Sequence, residues 1–172
     1  MVKSIMTAFF ALLLLSDWMS VAFANEGTAV NISANIVASP CIPSEDTVQG
    51  NVSLGSFYTY HLSNSGDATD WVPFTLKLTD CPATTTAVTV SFSGESDGSN
   101  PDYFKNMGTS SNVAIEIQDT KAGRVRNGAT RLITVNPSHT ASLDLQSRMV
   151  TPQGNATAGS VTGLVELSFS YQ

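Results

Sequence analysis

The feature that most limits what this chain can fold into is the period of its apolar residues, which is two almost everywhere. Phe74, Leu76 and Leu78 alternate with Thr75, Lys77 and Thr79; Val88, Val90 and Phe92 alternate with Thr89, Ser91 and Ser93. Val113, Ile115 and Ile117 alternate with Ala114, Glu116 and Gln118, and Leu143 and Leu145 with Asp144 and Gln146. Successive side chains of a strand point to opposite faces, so each run predicts a strand of an antiparallel sheet with one face buried. Ser63 to Gly66, Gly94 to Pro101, Lys121 to Gly123, Asn127-Gly128 and Gly154-Asn155 separate the runs with turn residues. No 3.6-residue apolar stripe exceeds a turn or two, which leaves Asp102 to Met107 as the expected short helix.

Strands at this spacing predict an all-β sandwich of immunoglobulin-like type. Composition agrees: only 13% of residues are charged, about half the usual ~25% of soluble globular chains, so a charged bundle or coiled coil is excluded. The net charge is -6 and the basic residues are scattered. That leaves no electrostatic footprint for nucleic acid or anionic lipid.

Residues 1–24 read as an export signal. Lys3 supplies the positive start, Met6 to Leu15 the apolar run, and Ala22-Phe23-Ala24 the small-x-small cleavage site. A membrane span would need ~20 predominantly apolar residues, and Ser16 and Asp17 end the run too early, so no direct membrane insertion is expected. The mature chain then begins at Asn25 and is the size of one domain. Its two cysteines, Cys41 and Cys81, enter an oxidising compartment, where a disulfide is the default. A metal pair or a free thiol are the alternatives, but neither cysteine has a CxxC partner or a nearby histidine; the two histidines are His61 and His139. Such a long closed loop stabilises a fold by roughly 4 kcal/mol in the chain-entropy account.

The ends of the mature chain are the most informative. Val161, Gly163, Val165, Leu167, Phe169 and Tyr171 share one face, with Leu164 intruding on the other, and predict a long strand ending at the last residue. A sandwich normally covers such an apolar strand on both sides, because a bare edge is a template for pairing. At the other end Val30, Ile32, Ala34 and Ile36 alternate with Asn31, Ser33 and Asn35, giving a spare strand set off by Ser39-Pro40-Cys41. A missing last strand and a spare first one suggest complementation between molecules.

These elements resemble the fimbrial (pilus) subunits of the chaperone-usher pathway, the type 1-like fimbrial proteins. The resemblance runs from Val30 to Gln172 and rests on Ala34 to Cys41, Val52-Ser53-Leu54-Gly55, Phe74 to Cys81, Val88 to Gly94, and Ala158-Gly159-Ser160-Val161 leading to Phe169-Ser170-Tyr171-Gln172. Its most specific marks are the penultimate aromatic, Tyr171, and the glycine fourteenth from the end, Gly159. It implies an incomplete immunoglobulin-like sandwich, a pilin fold lacking its last strand, over residues 39–172, with a donor-strand extension at 25–38. Val30, Ile32, Ala34 and Ile36 would enter a neighbour's groove, while Gly159, Val161, Val165, Leu167, Phe169 and Tyr171 would form this subunit's own groove and C-terminal strand. It further implies a periplasmic chaperone, an outer-membrane usher and neighbouring subunits as partners, and a fimbrium on the cell surface. Ala34 stands where the family usually has glycine, and the chain is less alanine-rich than rod subunits usually look. A minor, tip-fibrillum or adaptor subunit is therefore expected, with a major rod pilin as the alternative.

Enzymatic readings find little support. Gly94-Glu95-Ser96-Asp97-Gly98 matches the G-x-S-x-G nucleophile elbow, but Ser99-Asn100-Pro101 follows where that motif needs a helix. Asp97, Ser99 and Asp102 lack the glycine and terminal glutamate of a calcium loop. No catalytic residue, metal or cofactor is expected. The competing class is a self-contained secreted sandwich that binds a ligand through its loops.

Overall fold

In the computed structural model, residues 33–34 and 40–172 are described. The export signal, and Val30, Ile32 and Ile36 of the expected donor strand, lie outside the described residues, while Ser33 and Ala34 are exposed. The strands are β1 (Ile42–Pro43), β2 (Val72–Thr79), β3 (Ala87–Gly94), β4 (Phe104–Lys105), β5 (Ala114–Asp119), β6 (Gly123–Val125), β7 (Thr130–Thr134), β8 (Ala141–Val150) and β9 (Val165–Tyr171). One sheet has the order β1-β2-β8-β5-β4, with β6 also on β5; the other has the order β7-β3-β9. All these pairings are antiparallel. The four alternating runs noted in the sequence lie on β2, β3, β5 and β8, and their apolar faces meet between the sheets. Leu76, Leu78, Leu143, Leu145, Ile115 and Ile117 pack against Val88, Val90, Phe92 and Ile133.

Cys41 and Cys81 form the expected disulfide, with Cα atoms 4.2 Å apart and both residues buried. It ties the residue before β1 to the end of β2. The Cys81 amide donates to the His139 carbonyl at 3.0 Å, and the His139 ring nitrogen Nδ1 lies 2.9 Å from the Cys81 carbonyl oxygen.

Three expectations are corrected. Asp102 to Met107 holds no helix: Phe104 and Lys105 pair with Ile115 and Ala114 as β4, because Phe104 is the better used as a core residue, 1% exposed. The one short α-helix among the described residues is α1 (Glu45–Gln49), which Ser44 starts by accepting from the Thr47 amide and Gly50 ends in the left-handed region. A second correction concerns β5, whose Ala114, Glu116 and Asp119 are buried along with its isoleucines. Its outer face is roofed by arginines: Glu116 accepts from Arg124 Nε and from Arg148 Nε, each at 2.8 Å. Arg148 in turn stacks over Trp71 and Arg124 over Tyr103. Burial alone would lower the pKa of Arg124, but the hydrogen bond and charge of Glu116, with Tyr103 and Asp102 adding, hold it above its ordinary value. Third, the last strand begins at Val165 rather than Val161.

Candidate acceptor groove

Among the described residues β9 pairs with β3 alone, from Val88↔Tyr171 to Gly94↔Val165, and no described strand lies on its other edge. That edge is one rim of a groove of about 1530 Å³. The opposite rim is the segment 51–57, which has no regular structure and turns Val52 and Leu54 half inward. Among the described residues, 51–57 make no backbone hydrogen bond. Between the rims the floor is core: Phe74, Leu76, Phe92, Ile115, Ile117 and Leu145. Two backbone edges with no strand between them among the described residues, facing each other across apolar side chains, form a slot with the chemical needs of one β-strand.

Each end of the slot is held differently. At the start of β9, the stretch 157–163 is fastened to 106–111 by polar contacts. Asn106 accepts from the Gly108 and Thr162 amides at 2.8 and 2.9 Å and donates to the Ser110 carbonyl at 2.8 Å. Ser110 donates its amide to Ser160 at 3.0 Å and its hydroxyl to the Thr157 carbonyl at 2.8 Å. Here Gly159 is needed for close approach, because a Cβ would sit 2.5 Å from the Ser110 amide nitrogen; a Cβ on Gly163 would strike Ile115. This docking also accounts for the strand's late start: Thr162 donates its amide to Asn106 and accepts from the Met107 amide before β9 begins. At the far end Tyr171 donates its hydroxyl to the Cys41 carbonyl at 3.4 Å, and burial pushes its pKa up.

Gly159, Val161, Val165, Leu167 and Phe169 line the groove, and Tyr171 packs on the same core while pointing its hydroxyl at the disulfide. Ala34 is exposed, and its three donor-strand companions lie outside the described residues. Sequence reasoning passed over the second rim, although Val52 and Leu54 carry the same period of two. Ser96 of the G-x-S-x-G match sits in the loop after β3, bridged to Phe104, and Asp97 spends its carboxylate on the Ser99 and Asn100 amides, each at 3.0 Å.

A family model described as fimbrial protein matches residues 30–172. The chain belongs to this family. It is 36% identical over 143 residues to protein FimG of Escherichia coli (strain K12), covering 83% of each chain. Its fold matches the solved P pilus rod subunit PapA with a TM-score of 0.61 at 16% identity, over 84% of this chain and 99% of that one. A chaperone-usher pilus structure matches with a TM-score of 0.66 at 16% identity, over 86% and 97% of the two chains. The protein is thus a fimbrial subunit with a pilin fold of two sheets. Its relatives are structural fimbrial subunits rather than enzymes. No helix of the described residues is long and apolar enough to cross a membrane.

Proposed function

We propose that this fimbrial subunit is polymerised by donor-strand complementation, with its groove accepting the N-terminal segment of another subunit and its own residues 25–38 filling a neighbour's groove. The observation that supports this is the pair of facing backbone rims, β9 and 51–57, that have no strand between them among the described residues, over an apolar floor of core side chains. One inserted strand would hydrogen-bond to both rims and drop alternate side chains into the floor, the mode of strand addition known from chaperone-pilin complexes. Val30, Ile32, Ala34 and Ile36 have that alternation. Burying three large aliphatics contributes roughly 5 to 9 kcal/mol before backbone pairing is added. That compares with a whole-domain net stability of about 5 to 15 kcal/mol, so a subunit with an empty groove is poorly stable.

Such a subunit needs a lent strand until it is assembled, which is the office of a periplasmic chaperone; exchange for the next subunit's extension takes place at the outer-membrane usher. The finer assignment is a minor, tip-fibrillum or adaptor subunit, supported by Ala34 in place of the family's glycine. The test is a thermal melt of residues 37–172, disulfide intact, with and without a synthetic peptide of residues 25–38. A shift of more than about 10 °C on adding peptide is expected. A cooperative, stable domain indifferent to the peptide would overturn the mechanism in favour of a self-contained binding module.

A further inference from the structure

Beside the groove, at the end where β9 starts, four aromatic rings stand together on the surface. Phe57 and Tyr58 line the groove's mouth, and Tyr58 stacks on Tyr60 with centroids 5.7 Å apart and planes within 13°. Tyr60 is in turn tilted against His61 at 4.1 Å. Tyr58 is 73% and Tyr60 67% exposed. Large aromatics held together and open to water are characteristic of contact surfaces, where they bury much area at little entropic cost. At the opposite pole, where the chain leaves for its N-terminal segment, Ile42 is 57% exposed beside the anchored Cys41, and Pro40 is exposed with it.

We propose that the aromatic cluster is the seat for the body of a second copy of this chain, whose Pro40 and Ile42 pack on Tyr58 and Tyr60 when its N-terminal strand fills the groove. The inference rests on the strand-donation reading. Its geometry follows from chain length: only Ser39 and Pro40 separate residue 38 from the disulfide-anchored Cys41, a reach of about 10 Å at the ~3.3–3.6 Å per residue of extended chain. The donor's body therefore lies against whichever mouth its strand enters. Entry at the Tyr171 end would bring two strand roots together at Cys41, where the acceptor's own segment departs. Entry at the aromatic end keeps the poles distinct, sets the donor antiparallel to β9, as every pairing in both sheets is, and gives a head-to-tail contact that repeats without closing.

The test uses the mature chain, residues 25–172, assembled in solution. Two readouts separate the two claims. Hydrogen exchange at the amides of Val165 to Tyr171 reports strand insertion, and the dissociation rate after dilution reports the seat. The paired substitution Tyr58→Ala with Tyr60→Ala is expected to leave β9 protected but to speed dissociation about tenfold, with Ile42→Ser giving a similar rise and the combination little more. Protected β9 with unchanged dissociation in these variants overturns the seat while leaving strand donation standing. Unprotected β9 in the parent assembly overturns both, and a mature chain that stays monomeric overturns the second copy as occupant. All three residues are more than half exposed, so a monomer melt unchanged by the substitutions confirms that folding is not what is being read.

Discussion

The two long sides of this sandwich are finished to different degrees. On the side of β5, β6 and β7, buried carboxylates are matched to guanidinium groups: Glu116 with Arg124 and Arg148, and Asp119 with Arg131 at 3.1 Å. No described side-chain polar atom is buried without a partner. On the side of β9 and 51–57, a groove runs over apolar core residues between two backbone edges that have no strand between them among the described residues. The contrast is local: one side is closed with specific polar chemistry, and the other carries the apolar groove that the strand-donation proposal fills from another molecule.

The sharpest way to break this contrast is to damage the closed side. Phe104→Ala empties a site that is 1% exposed and is expected to destabilise the subunit by about 3–5 kcal/mol, equally with and without donor peptide, as read from denaturant midpoints. On the open side, Leu167→Ala should scarcely alter the lone subunit, because its side chain is only partly covered. It should instead weaken capture of the peptide of residues 25–38 by about 1.5–3 kcal/mol, roughly ten- to a hundredfold in affinity by titration. Loss of capture together with loss of the empty subunit's stability would show that the open side is already part of a sealed core.

Glu116→Gln sharpens the comparison from the closed side. It removes the charge shared by two arginines and is expected to cost about 1–3 kcal/mol, since both arginines keep partial access to water. Peptide affinity should not change. The smallest effect is at the junction of the two sides. Burial raises the pKa of Tyr171 in the folded state, so the folded form holds its proton more tightly than the unfolded one. Its contribution is present below the ordinary tyrosine range and is lost as pH rises past about 10. Tyr171→Phe should flatten that part of the stability profile and lower neutral-pH stability by about 0.5–1.5 kcal/mol through the lost bond to Cys41.

Most of the framework was legible because a period of two survives in strands with one wet face, as Val88 to Phe92 shows. It misled where both faces are covered. Glu116 looked like a solvent-facing neighbour of Ile115 and Ile117, because the arginines that roof it come from other strands, β6 and β8. The α1 helix escaped notice although Ser44 and Gly50 bracket it, since five residues are too few to show an apolar stripe. For the groove, the β9 rim could be read from its alternation to the last residue. The opposite rim could not, as 51–57 is recognisable as a rim only by what it faces. The aromatic run Phe57-Tyr58-Thr59-Tyr60-His61 was visible, but its exposure is a property of the fold.

The position of the disulfide has a mechanical meaning in a filament built by strand donation. Tension would enter each subunit along its N-terminal segment at Cys41, and β1, with only the pairs Ile42↔Thr79 and Pro43↔Leu78, is too short to bear it. The link from Cys41 to Cys81 passes that pull by a covalent route to the end of β2, which is knitted to β8 over seven residue pairs. Pulling along that ladder loads its hydrogen bonds in shear, many at once, instead of unzipping a two-residue strand one bond at a time. A reduced subunit could keep its fold at rest and still be the point at which a stretched fibre gives way.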